Sequence, residues 1–120
     1  MRVLALRGAT TCDENTKEEV DTKTQRLVEA MLERNAISHD DLVSIIFTAT
    51  DDITAEFPAT AARALGLGDI PLLCARELAI EHGMARTIRV LMHFYGEQPR
   101  TELHHVYHEG ARSLRDDLPA

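Results

Sequence analysis

The sequence of 120 residues has no tryptophan, two tyrosines, three phenylalanines, two cysteines and only two lysines. Each shortage argues against a class of protein. Cys12 and Cys74 stand far apart with no CxxC spacing, so neither a disulfide framework nor a zinc knuckle is indicated and a reducing compartment is expected. No apolar run is long enough to cross a bilayer, and the N-terminus lacks the apolar stretch and cleavage site of a signal peptide, which points to the cytoplasm and to no membrane partner. The net charge of −7 argues against nucleic acid, because phosphate binding needs a basic face and thirteen basic residues are scattered here among twenty acids. One domain over residues 1–120 suits this length, and it buries about two-thirds of the surface its unfolded chain exposes.

What is plentiful is arginine, eleven of the thirteen basic residues. Guanidinium forks pair with carboxylates in a geometry that ammonium groups do not match. Coding bias explains a bulk ratio, so the positions of the arginines have to carry any functional meaning. Arg2 to Leu6 reads as a short buried strand that ends at Arg7 and turns at Gly8. Thr16-Lys17-Glu18-Glu19 fits a capping box, the acids of 13–19 suit a helix start, and Val20, Leu27, Val28, Met31 and Leu32 share one face of a helix running to about Arg34.

Val43 to Ala49 is an unbroken β-rich run with the look of a central strand. Phe57-Pro58 opens a second, shorter helix over Ala59 to Leu65, stopped by Gly66 or Gly68. Ile70 to Cys74, Thr87 to Tyr95 and His105 to Tyr107 complete the strands, and a polar tail comes last. The predicted class is α/β in the α+β sense: a mixed sheet with one long and one short helix. Two helices are too few to cover both faces of strands that are apolar on both sides, since Ile45 and Phe47 oppose Ile46, and Ile88, Val90 and Met92 oppose Leu91. A second copy of the chain is the economical cover, so a homo-oligomer with sites near subunit boundaries is expected.

Arg89 is the sharpest anomaly, a guanidinium in the middle of an apolar strand. Its stem could lie flat with the head in water. Arg7, also on an apolar strand, makes one shared anion site the better account. Glu77 is either a solvated acid after its strand or a partner for Arg76 or Arg89. Cys74 has no legible triad and reads as a small hydrophobe. Tyr107 is open between core and hydroxyl donor. His104, His105 and His108 invite a metal but lack an Asp, Glu or Cys at a recognised ligand spacing, so no metal is expected.

Arg7-Gly8-Ala9-Thr10-Thr11, Phe57-Pro58-Ala59, Cys74-Ala75-Arg76-Glu77, Ile88-Arg89-Val90, His105-Val106-Tyr107 and Leu114-Arg115 fall in an order and spacing that resembles the small, monofunctional, trimeric chorismate mutases of the Bacillus type. The likeness covers nearly the whole chain. It implies conversion of chorismate to prephenate without a cofactor, in a homotrimer with a barrel-like core and active sites between subunits. By the same resemblance, Arg7 would pair with a substrate carboxylate, Arg89 would reach the ether oxygen and a carboxylate, Glu77 would accept from the ring hydroxyl, and Tyr107 would assist carboxylate binding. Cys74 and the backbone of Leu72 and Leu73 would line the pocket, with Phe57, Ala59 and Arg63 from a neighbouring chain and with Thr60, Ala75 and Arg76 among the binding positions. Leu114 and Arg115 would close it. Three positions depart from the family pattern: Thr60 where lysine is common, His104 where arginine is expected, and Asp116 in place of a proline.

Overall fold

In a computed structural model, which describes residues 1–114, the chain forms five strands and two α-helices. Strand β1 is Arg2–Thr11, helix α1 is Lys17–Arg34, and β2 is Leu42–Ala49. Helix α2, Pro58–Ala62, widens into a turn over Arg63–Leu67 before β3, Leu72–Arg76. Strands β4, Thr87–Gly96, and β5, Val106–Tyr107, complete the set. The sheet order is β3-β2-β4-β1-β5, with β4 antiparallel to both of its neighbours and the two outer pairs, β2 with β3 and β1 with β5, parallel.

The main helix lies where periodicity puts it, with Val20, Leu27, Val28 and Met31 fully buried. Each such apolar side chain contributes about 1.5–3 kcal/mol on burial. Only half of the expected capping box forms. The Thr16 hydroxyl accepts the Glu19 N–H at 3.1 Å, but the Glu19 carboxylate reaches past Thr16 to the N–H of Asp13 at 2.8 Å. The same helical stripe carries two surprises, Lys23 and Thr24, buried between Val20 and Leu27.

Strands β2 and β4 are each one residue longer than the sequence reading, beginning at Leu42 and ending at Gly96, and the other three differ as well. The first strand does not stop at Arg7, and Gly8 is no turn: it sits inside β1 where α1 presses closest, and a Cβ built there would stand 2.5 Å from Met31 Sδ and 3.2 Å from Leu27 Cδ1. Arg7 is therefore mid-strand. The third strand begins at Leu72 rather than Ile70, because Pro71 has no N–H to give a ladder while Ile70 closes the preceding turn onto Leu67. That shift carries Ala75 and Arg76 into the strand and brings Glu77 to its end. The last strand is shorter by one residue, Val106–Tyr107, and the second helix ends earlier than Leu65, with Gly66 at φ 88°.

Both helices lie on one face of the sheet. Leu4, Leu6, Ile45, Phe47, Val90, Met92 and Phe94 point into that side and join Leu27, Val28, Met31, Ala62 and Leu67 in one core. The opposite face carries no helix among the described residues, and Val3, Leu73 and Tyr95 stand on it at 55%, 60% and 45% exposure. No helix among the described residues is long and apolar enough to cross a membrane.

Gly8→Ala tests the docking of α1. Fully buried Met31 and Leu27 have to repack around the new methyl, so we expect a loss of about 1–3 kcal/mol in urea unfolding. An unchanged midpoint would show that the helix does not need this close approach.

Candidate active site

The open face collects two of the strand arginines, Arg7 and Arg89. In the β1–β4 register Arg7 faces Leu91 and Ala9 faces Arg89, so the two guanidinium-bearing residues are diagonal neighbours on one face, about 7–8 Å apart at the backbone. Tyr107 arrives on the same face from β5, where it pairs with Ala9. Arg7, Arg89 and Tyr107 line one recess of ≈ 270 Å³ with Ile46, Thr48 and Leu91. Two strand arginines do meet at one place.

Glu77 joins them through Arg89. Its backbone N–H donates to Ala49 O at 3.0 Å, extending the β2–β3 pairing by one residue beyond β3. Arg89 Nε donates to Glu77 Oε1 at 2.8 Å, with the glutamate side chain 15% exposed and the arginine 44%. Of the two partners left open by the sequence, Arg76 is taken elsewhere, by Asp51 at 3.5 Å and by Thr50 O at 3.2 Å. Glu77 Oε2 is buried and finds no hydrogen-bond partner among the described residues. A buried carboxylate oxygen without a donor costs about 1–3 kcal/mol or more, so this oxygen is suited to accept from a hydroxyl. The pair engages only Nε of Arg89, and the two Nη groups make no hydrogen bond among the described residues.

Behind Glu77 the chain loops out over residues 77–86 and is hooked back by Asp52. Both Asp52 carboxylate oxygens accept the Arg86 N–H, at 3.1 and 2.9 Å, and the Thr50 hydroxyl donates to Oδ1 at 2.5 Å. Arg86 has φ 43°, a left-handed conformation that a non-glycine residue holds only when its surroundings fix it. Its Nε donates to Cys12 O at 3.0 Å, which ties the loop to the end of β1. Burial pushes the Asp52 carboxyl upward, but the Thr50 hydroxyl and the Arg86 N–H outweigh it and hold the group below its ordinary 3.8.

A second set of expected residues stands apart from the arginines within one chain. Phe57, Cys74, Ala75 and Arg76 line a recess of ≈ 480 Å³ beside Pro58, and the Phe57 ring is 67% exposed. Ala59 and Thr60 lie on α2 and Arg63 opens the turn after it, where Arg63 Nη2 donates to the Thr60 hydroxyl at 3.0 Å. Thr60 thus helps to hold the Arg63 guanidinium in place. Leu72 is half-buried against the core, whereas Leu73 turns to the open face. Burial raises the Cys74 thiol above its ordinary 9.0, against the opposing pull of an Ala59 backbone hydrogen bond and the Arg63 charge, and burial beside Glu19 lifts Cys12 to about 11. Neither thiol is a ready nucleophile.

The three histidines have separate tasks. His105 Nδ1 accepts the backbone N–H of Arg7 at 3.0 Å, a side chain acting as ladder acceptor where β5 begins. The backbone of His104 is gripped by Asn35, whose amide accepts at 2.8 Å and donates at 2.9 Å. Burial, then Arg34 and Arg112, push the His108 imidazole below its ordinary 6.5. Among the described residues no three His, Cys, Asp or Glu side chains cluster as metal ligands. Leu114 is half-buried at the end of the described chain, and Arg115 and Asp116 lie outside the described residues.

Sequence reasoning missed His105 as a partner of Arg7, Asp52 as the hook of the 77–86 loop, and the pair formed by Lys23 and Glu109. For Lys23 a signal was present: it falls three residues after Val20 and four before Leu27, in the helix's apolar stripe.

A one-sided α+β sheet that presents guanidinium groups beside an under-satisfied carboxylate defines a protein that binds a small polar anion. Its relatives narrow this class. Residues 3–118 match the family model described as chorismate mutase type I. The chain is 43% identical over 117 residues to chorismate mutase AroH of Thermus thermophilus, covering 97% of this chain and 96% of that one. It is 38% identical over 119 residues to chorismate mutase AroH of Bacillus subtilis, covering 98% and 94%. A solved chorismate mutase from Clostridium thermocellum superposes with a TM-score of 0.89 at 41% identity, over 91% of this chain and 97% of that one. The chain belongs to the type I chorismate mutase family.

Asp52 supplies a pH test. Its folded pKa lies below 3.8, so its contribution to stability is complete above that value and is lost as pH falls through the folded pKa. Asp52→Asn should be less stable than the parent chain at pH 7 in urea unfolding, and the gap should narrow below pH 3.8. A gap independent of pH would deny the carboxylate this role.

Proposed function

We propose that this chain converts chorismate to prephenate by intramolecular rearrangement, in a homotrimer whose active sites lie between copies of the chain. The observation that carries the reading is Arg89, held at Nε by Glu77 on a helix-free sheet face beside Arg7, with both Nη groups left for a ligand. Chorismate carries two carboxylates, a ring hydroxyl and an enol-ether bridge. The reaction breaks the ether carbon–oxygen bond and forms a carbon–carbon bond within the same molecule, so it needs no nucleophile, no proton transfer and no cofactor. Two inert thiols and the lack of a legible triad are therefore no obstacle.

Two effects remain for the protein to supply. One is selection of the compact, reactive conformer of a flexible dianion, which removes an entropic part of the barrier. Arg7, helped by the Tyr107 hydroxyl, clamps a carboxylate, and Glu77 Oε2 accepts from the ring hydroxyl. The other is positive charge at the ether oxygen, where negative charge grows as the bond breaks. Arg89 meets that charge, and Glu77 fixes the direction of its guanidinium beforehand. The interaction strengthens on the way to the transition state, so it accelerates the reaction rather than only tightening substrate.

The trimer is inferred from the face that no helix among the described residues covers. Exposed Val3, Leu73 and Tyr95 supply apolar surface for a neighbour, consistent with a barrel-like core of packed sheets. Phe57, Cys74, Ala75 and Arg76 line a different recess from that of Arg7 in the same chain, which fits a site completed by two subunits. The cytoplasm suits a chain with two unpaired thiols.

Purified protein mixed with chorismate should abolish its ultraviolet absorbance and yield prephenate, and chorismate that persists at high protein concentration would refute the activity. Arg89→Ala should assemble normally and lose about 10²–10³-fold in kcat, with a smaller change in KM. Light scattering should give the mass of three chains; a monomer with full activity would overturn the shared site.

A further inference from the structure

Tyr107 rests on a strand of two residues. Strand β5 pairs with β1 only through Gly8 with Val106 and Ala9 with Tyr107, too short a ladder to hold a side chain in place by itself. The segment after it is anchored more heavily. His108 N–H donates to Ala9 O at 2.9 Å, Gly110 N–H donates to the Thr11 hydroxyl at 2.9 Å, and Ala111 is fully buried. The approach at Gly110 is tight, since a Cβ there would stand 3.0 Å from Thr11 Oγ1.

Between these anchors lies Glu109, at φ 53°. A glutamate stays in the left-handed region only where its surroundings over-determine it. Its carboxylate is met from the other side of the sheet: Lys23 Nζ, on a residue of α1 only 9% exposed, stands 3.2 Å from Glu109 Oε1 across 86 positions of sequence. Glu109 is the one charged partner of Lys23 among the described residues. The ammonium sits in the apolar stripe of the helix, where a leucine or methionine would pack without desolvation cost. The best-attested use of a buried ion pair that adds little net stability is to specify register.

We infer that Lys23 is a positioning residue for the reaction: through Glu109 it sets the register of the Val106–Leu114 segment against β1, and so where Tyr107 and Leu114 stand relative to Arg7. Neither Lys23 nor Glu109 lines the recess of Arg7, Arg89 and Tyr107. Lys23 approaches from the helix side, and the effect crosses the sheet edge through Val106, which is fully buried toward α1 while the adjacent Tyr107 turns to the open face. The inference rests on the site proposed above, in particular on a role for Tyr107.

The test is a double-mutant cycle on the intact, assembled enzyme with chorismate, using Lys23→Met, Tyr107→Phe and the combination. Lys23→Met should lower kcat/KM by about tenfold in protein that is fully folded by circular dichroism, and by less than about threefold once Tyr107 is already phenylalanine, because groups in one network do not act additively. Lys23→Arg, which keeps the charge, should recover most of the loss. A residue that matters for stability alone would lower the unfolding midpoint without this non-additivity. Should Lys23→Met fail to fold, Glu109→Gln enters the same cycle from the more exposed partner. Additive effects, or an unchanged kcat/KM in both Lys23→Met and Glu109→Gln, overturn the inference. Full activity of Tyr107→Phe alone refutes the hydroxyl's part in the site, and the inference falls with it for that separate reason.

Discussion

A guanidinium in the middle of a β-sheet needs a face that the chain's own apolar helices leave open, and this chain creates such a face by placing α1 and α2 on the other side. The docking of α1 onto β1 is the contact on which that arrangement turns. Gly8 lets Met31 and Leu27 approach the strand more closely than any side chain would allow. With the helix held there, Leu4, Leu6, Val90 and Met92 are drawn under it, and the alternation of a strand sends Arg7 and Arg89 the opposite way. The chemistry of the open face is thus a consequence of packing on the closed one.

The same alternation explains the electrostatics. Arg89 is held by a carboxylate that is much more buried than itself, so the glutamate acts as the fixed half of the pair and the guanidinium as the half turned outward. Because only Nε is engaged, the pair orients Arg89 without neutralising its outer edge. The net charge of −7 opposes an anion at long range, but salt screens such repulsion beyond about 8–10 Å, and within that distance the local arginines dominate. The surrounding parts are attached through few contacts. The 77–86 loop hangs on Asp52 and Arg86, and the C-terminal segment hangs on a two-residue strand with Lys23 and Glu109 behind it. Residues with left-handed backbone, Arg86 and Glu109, mark both attachment points. Each is stabilised by a carboxylate contact, that of Asp52 or that of Glu109 itself, so the strain is held by charge rather than by apolar packing.

Sequence by itself determined the local elements and the chemistry available. The apolar stripe of α1, the opposite-facing residues of β2 and β4, the proline at the start of α2 and the misfit of Arg89 are all periodic or compositional signals that need no partner to be read. Six short segments in order and spacing were enough to point to the family, because together they constrain nearly the whole chain. Only the tertiary structure decided what depends on residues meeting across long stretches of sequence. It made Gly8 a docking point instead of a turn, chose Arg89 over Arg76 for Glu77, gave His105 to the Arg7 backbone, and paired Lys23 with Glu109. The physical reason is common to all four. A lone glycine, acid, imidazole or amine carries several possible partners in its own chemistry, and which one it takes is set by the distance at which the fold brings another group, a quantity that no local pattern contains.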